Sequence, residues 1–235
     1  MEIFYTCEVT LLDNTINNMN ITGYSGIHKT NRNAIHVKAI WIHDTNTKYV
    51  PYNLGLLFNL TTLNLGNTGL VEIKAHDFKY NQNLEYLCLE KNKLNSIPFD
   101  IFTKLTKLKL LFLGDNQLEE LPNVLFTNNI NLEKIDLINN KIKFLDSSSF
   151  DGLSKLNFVE LNNNICINNT YNEPMRMIQL KIDIKIKCNY PEVISVLRTE
   201  LLKTRDELQT KRNQVKKLTE QLRREKEITN RCFKI

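Results

Sequence analysis

The residues able to do covalent or metal chemistry are few. Five cysteines stand at Cys7, Cys88, Cys166, Cys188 and Cys232, and four histidines at His28, His36, His43 and His76. No H-E-x-x-H spacing sets two histidines on one helix face for zinc, and no C-x-x-C pair offers a thiolate clamp or redox couple. A G-x-S-x-G elbow and a glycine-rich phosphate loop are both missing. Asp115 and Asp136 read as surface positions, not as the paired acid and base of a hydrolase. The expectation is a protein that is not an enzyme and uses no metal or cofactor. The cysteine count is odd. In an oxidising compartment one left over implies a bond to another chain, whereas in a reducing one all five are inert thiols.

The elements that must position these residues are set by a repeat. The pattern L-x-x-L-x-L-x-x-N-x-L-x-x-I/L-x-x-x-x-F begins at Leu60, Leu84, Leu108, Leu132 and Leu156, each 24 residues after the last, and the final copy is incomplete. Its second position reads Leu63, Leu87, Leu111, Ile135 and Val159, and its third Leu65, Leu89, Leu113, Leu137 and Leu161. The asparagine column reads Thr68, Asn92, Asn116, Asn140 and Asn164; the phenylalanine column reads Phe78, Phe102, Phe126 and Phe150. Upstream, Val37, Ile40 and Ile42 form a degenerate first turn that begins 23 residues before Leu60. Apolar residues at i, i+3 and i+5 do not fit the 3.6-residue period of amphipathic helices.

This pattern resembles the leucine-rich repeat family in its 24-residue extracellular version, over roughly residues 36–166. The resemblance implies an α/β solenoid with short parallel strands on its concave face. Each strand offers an inward leucine pair that only a neighbouring turn can bury, so the units stack. The asparagine side chain satisfies backbone groups at a bend without a regular ladder, and the phenylalanine fills the convex core. Thr68 breaks the asparagine column, which predicts a weaker ladder at the first full repeat.

Residues flanking the inward pair point onto the concave face. One such column reads Ala39, Thr62, Tyr86, Leu110, Lys134 and Phe158, and the next Trp41, Asn64, Cys88, Phe112, Asp136 and Glu160. Tyr86, Leu110 and Phe112 are therefore side by side, with Trp41 farther along, and these four are the candidate anchors for a protein partner. Asp136 and Glu160 read as solvated positions, and Cys88 as a free or lightly covered thiol. In extracellular members of the family a disulfide often closes the C-terminal cap, which implies a Cys166–Cys188 bond worth about 3 kcal/mol.

The last fifth of the chain differs. From Asn189 onward there are 12 Lys+Arg against 7 Asp+Glu, so the whole net charge of +5 lies there. Asn189 and Pro191 mark a helix start, and the stretch beyond contains no Gly and no further Pro. A heptad seam runs through Ile194, Leu197, Leu201, Leu208, Val215, Leu218 and Leu222, with Cys232 on the same seam. Charge pairs Glu200–Arg205 and Glu207–Arg212 between chains favour parallel pairing, giving a homo- or heterodimer that Cys232 can lock; the other reading is a single amphipathic helix folded back on the solenoid. Acids interleaved with the bases count against nucleic acid, and no apolar run of about 18 residues offers a membrane span. The expected parts are an N-terminal cap with the degenerate repeat (1–58), the repeats (59–165), a C-terminal cap (166–190) and a coiled-coil helix (191–235).

This order of parts resembles the secreted leucine-rich repeat immune proteins of mosquitoes and related flies. The resemblance implies disulfide-linked dimers that hold a complement-like thioester protein in the blood, with Cys166, Cys188 and Cys232 as the cysteines able to match. The opening MEIFYTCEVTLL shows no signal peptide and Cys7 lacks an obvious mate, which together predict a truncated N-terminus. Sequons at Asn20, Asn59 and Asn168 are no more than composition produces. Two other readings stay open: a fragment of a leucine-rich receptor ectodomain, and an intracellular scaffold whose coiled coil is the working part.

Overall fold

Residues 6–10, 37–43, 47–188 and 191–232 are described by the computed structural model. They fall into two units divided between Asn189 and Tyr190. The first is built on one eight-stranded sheet whose strands lie in chain order. These are β1 (Thr6–Thr10), β2 (Ala39–His43), β3 (Thr62–Asn64), β4 (Tyr86–Cys88), β5 (Leu110–Phe112), β6 (Lys134–Asp136), β7 (Phe158–Glu160) and β8 (Thr170–Asn172). All neighbours up to β7 pair in parallel, and Ile40, Leu63, Leu87, Leu111, Ile135 and Val159 stand opposite one another. Every residue of that row is fully buried. This is the leucine-rich repeat solenoid that the 24-residue period implies.

The strands from β3 on are three residues long because the chain bends soon after each. Asn67, Lys91, Asp115, Asn139 and Asn163 all adopt left-handed backbone, with φ between 53° and 58°. At the following position each asparagine works on both neighbouring turns. Asn116 Nδ2 donates to the carbonyls of Leu89 (2.9 Å), Leu113 (3.0 Å) and Gly114 (3.0 Å), and its Oδ1 accepts from the amide of Leu94 at 3.1 Å. Asn92 and Asn140 repeat this set. Thr68 keeps part of it: its Oγ1 donates to Leu65 O at 2.8 Å, and its amide donates to Asn92 Oδ1 at 3.2 Å. A hydroxyl is too short to reach the preceding turn, so the link back is made by the Thr68 carbonyl, which accepts from the amide of Thr47 at 2.8 Å.

On the opposite side Phe78, Phe102, Phe126 and Phe150 are buried; Phe102 and Phe126 stack at 6.3 Å between centroids. A second asparagine set also lies here. Asn81 Nδ2 donates to Leu54 O and Leu57 O, and Asn129 Nδ2 to Phe102 O and Leu105 O. Both side-chain oxygens are buried without a partner. The same column holds Leu57, Leu105 and Leu153 in the alternate turns.

The solenoid is closed at its C-terminal end by a reversal. β8 pairs antiparallel with β7, setting Tyr171 opposite Val159. It leads into helix α1 (Pro174–Lys187), which has a proline in its first turn. Leu180, Ile184 and Cys188 are buried against the core, and a disulfide joins Cys188 to Cys166 with their Cα atoms 5.1 Å apart. The buried Tyr171 hydroxyl donates to Asp183 at 2.7 Å. Burial opposes ionisation of Asp183, yet hydrogen bonds from Tyr171, Gln179 and Lys187 together hold its carboxyl below the usual range. Residues 178–187 alternate apolar and polar, a pattern that periodicity alone assigns to a strand. As a helix the segment splits its apolar residues between two faces, leaving Ile178, Ile182 and Ile186 exposed.

The second unit is one long helix, α2 (Pro191–Cys232). Leu201, Leu208, Val215, Leu218 and Leu222 are each more than half exposed along it. The side chains of Ile194, Leu197 and Cys232, and that of Cys7 on β1, lie outside the described residues. No helix among the described residues is long and apolar enough to cross a membrane.

Candidate protein-binding face

The parallel register fixes which side chains meet on the concave sheet. Tyr86 stands beside Leu110, and Cys88 beside Phe112. The Tyr86 and Phe112 rings lie 5.1 Å apart and tilted, an ordinary aromatic contact. Tyr86, Leu110 and Phe112 are all half-buried and form one patch. Trp41, on β2, is three strands from Phe112 across Asn64 and Cys88, about 14 Å at the usual strand spacing. It does not join the patch.

The next strands add residues that the aromatic signal alone did not single out. The Lys134 ammonium sits over the rings of Phe112 (4.9 Å) and Phe158 (4.5 Å), and 3.9 Å from the carboxylate of Asp136. Glu90 is next to Cys88, whose thiol lies 3.8 Å from its carboxylate. The placement in alternate columns at 24-residue spacing was the available signal for all of these.

Two acids behave differently from the expectation of solvated positions. Asp136 is largely covered; burial pushes its carboxyl above the usual value, with Glu160 and Asp115 adding to the rise against Lys134 and the Ile138 amide. Glu160 is tied down at the cap, accepting from Thr170 Oγ1 at 2.7 Å and from Asn162. Burial likewise raises Glu90, helped by Asp136 and Asp115. The cause is the sheet itself, since flanking side chains stand perpendicular and shade one another.

Cys88 is the free cysteine among the described residues, and at 4% exposure it is buried rather than lightly covered. Burial pushes its thiol up to about 11, so it stays protonated at neutral pH and is a poor nucleophile. Burial pushes Tyr86 up to about 12, so its hydroxyl remains a neutral donor. Among the described residues no group of three His, Cys, Asp or Glu side chains converges as a metal site.

A sheet of short parallel strands with a ladder of buried asparagines defines a class, the leucine-rich repeat proteins. The leucine rich repeat profile matches residues 58–118 and 106–165, the stretch that carries this ladder. No curated protein matches the sequence. The solved structures similar to it include two complexes. One is described as the Toll–Spatzle complex, a molecular hub in Drosophila development and innate immunity; it is 25% identical with a TM-score of 0.51, covering 55% of this chain and 17% of that one. The other, a TLR13–ssRNA13 complex, is 29% identical with a TM-score of 0.50, covering 55% of this chain and 18% of that one. This chain therefore spans less than a fifth of the length of either neighbour.

Proposed function

We propose that this chain is a secreted, non-catalytic recognition module of the innate-immune kind, which holds a protein partner on its concave face and dimerises through α2. The observation that carries the binding reading is the half-buried patch of Tyr86, Leu110 and Phe112, with two rings in contact on an open sheet. Trp41 extends the same face without touching the patch. A cap disulfide fits an oxidising compartment. The likeness to Toll and TLR13 repeats fits recognition in immunity. For α2 the support is a row of exposed Leu and Val at heptad spacing, which one helix alone leaves in water.

A second reading is a segment of a longer receptor ectodomain, favoured by the small share of the Toll and TLR13 chains that it covers. The heptad helix counts against it. An intracellular scaffold is the third, and the Cys166–Cys188 bond counts against that.

The mass of the protein made in an oxidising host, with and without reductant and beside Cys232→Ser, tests the dimer. A covalent dimer that reductant and Cys232→Ser both abolish is the expected result. A monomer under all conditions overturns tail-linked pairing and favours the receptor segment. All cysteines reduced, Cys166 and Cys188 included, favours the scaffold.

A further inference from the structure

The concave face carries its own indication of what it accepts. Lys134 is held with its ammonium 4.9 Å and 4.5 Å from the centroids of Phe112 and Phe158, and 3.9 Å from Asp136. An alkylammonium resting on aromatic faces beside a carboxylate is an arrangement in which ring quadrupole and charge both attract a cation. The other flank of Phe112 offers the same elements: the Tyr86 ring at 5.1 Å, and Glu90 one strand away.

The charge on this face is unbalanced. Glu90 stands within electrostatic reach of Asp136 and Asp115, and Asp136 within reach of Glu160 and Asp115, against Lys91 and Lys134. Asp136 and Asp115 add to the rise that burial causes at Glu90, and Glu160 and Asp115 add to that at Asp136, so these two carboxylates are under-compensated. The chain as a whole carries +5, so an acidic face is a local feature and not a reflection of composition. A positively charged partner relieves that repulsion on docking, while a polyanion adds to it.

We infer that the face around Phe112 takes a cationic segment of a partner protein, a Lys or Arg flanked by apolar side chains. The partner's cation lies over Tyr86 and Phe112 between Glu90 and Asp136, and its apolar neighbours cover Leu110. Lys134 is the intramolecular stand-in for that cation. This rests on the concave face being the binding face, and the test separates the two.

A random peptide library displayed on phage is selected against the immobilised full chain, and enriched peptides are titrated by fluorescence anisotropy. Titration is repeated with the double variant Glu90→Gln/Asp136→Asn, with Phe112→Leu and with Lys134→Met, each checked for an unchanged melting profile or one that only rises. The expected result is enrichment of Lys or Arg beside aromatic and aliphatic residues. Affinity falls about tenfold in the charge variant, falls in Phe112→Leu, and rises a few-fold in Lys134→Met. Peptides that are neutral or acidic, and that bind the charge variant unchanged while losing affinity in Phe112→Leu, overturn the cation assignment and leave the concave face standing. Peptides indifferent to Phe112→Leu, or no enrichment, overturn both. A labelled oligothymidylate whose binding is lost in Phe112→Leu reassigns the face to single-stranded nucleic acid and overturns the inference.

Discussion

At the scale of single residues, two sets of buried asparagines look alike in sequence and differ in what they hold. Asn116 serves three carbonyls and one amide, and both ends of its amide group are used. Asn116→Leu strands the Leu94 amide and takes one of two donors from each carbonyl, and urea unfolding should show a loss of about 2–4 kcal/mol. Asn129 uses only its nitrogen, on carbonyls that already accept backbone donors, and its oxygen is unpartnered. Asn129→Leu should change stability by less than about 1 kcal/mol, because a lost bond is offset by the removal of an orphaned acceptor. Lys91 occupies a left-handed position, φ 55°, where three other turns have asparagine. Lys91→Asn should stabilise by about 0.5 kcal/mol in the same assay, since asparagine tolerates that backbone better. Asp136 shows the opposite tension between site and stability. Its folded carboxyl is raised above the ordinary 3.8, so at neutral pH the ionised form costs the native state. Asp136→Asn should therefore raise the melting temperature at pH 7. That gain should vanish once the pH falls below 3.8, where the wild-type group is protonated in both folded and unfolded chains.

At the scale of elements, the repeats were legible and the caps less so, for one physical reason. A solenoid couples residue i to i+24, so a single period dictates each strand's neighbours, register and buried row. Lys109 with Glu85 and Lys143 with Glu119 obey the same spacing on the surface. The columns that placed Tyr86 beside Phe112 follow from it directly. The cap is used once and leaves no period. The antiparallel turn into β8 and the helical state of residues 178–187 are set by what covers the last turn, against the strand-like alternation of Ile and Lys. The alternating Asn and Leu of the convex side escaped notice because the dominant leucine pattern repeats twice as often. Asp136 and Glu90 were missed as perturbed groups because shading by neighbouring strands is invisible in a one-dimensional pattern. For the cap, reducing Cys166–Cys188 should lower stability by about 3 kcal/mol, read from urea melts with and without reductant. The last turn should lose amide-exchange protection before the central repeats, because α1 is what shields Tyr171 and the adjacent core.

At the scale of the whole molecule, the division at Asn189 and Tyr190 separates a neutral repeat unit from a helix carrying all the net charge. If α2 pairs with a second copy, Leu208→Asp with Leu222→Asp should give a monomer by sedimentation while the melting of the repeat unit is unchanged. A fall in that melting temperature would mean the exposed leucines serve the solenoid instead. The convex column of Leu57, Asn81, Leu105, Asn129 and Leu153 has a consequence for how such a chain can grow. It gives the molecule two periods at once, like a tiling whose colour alternates while its shape does not. Removing or inserting 24 residues keeps every strand in step but sets two asparagines or two leucines on adjacent turns. Only an edit of 48 restores both periods, so the unit that can be copied without a seam is a pair of turns.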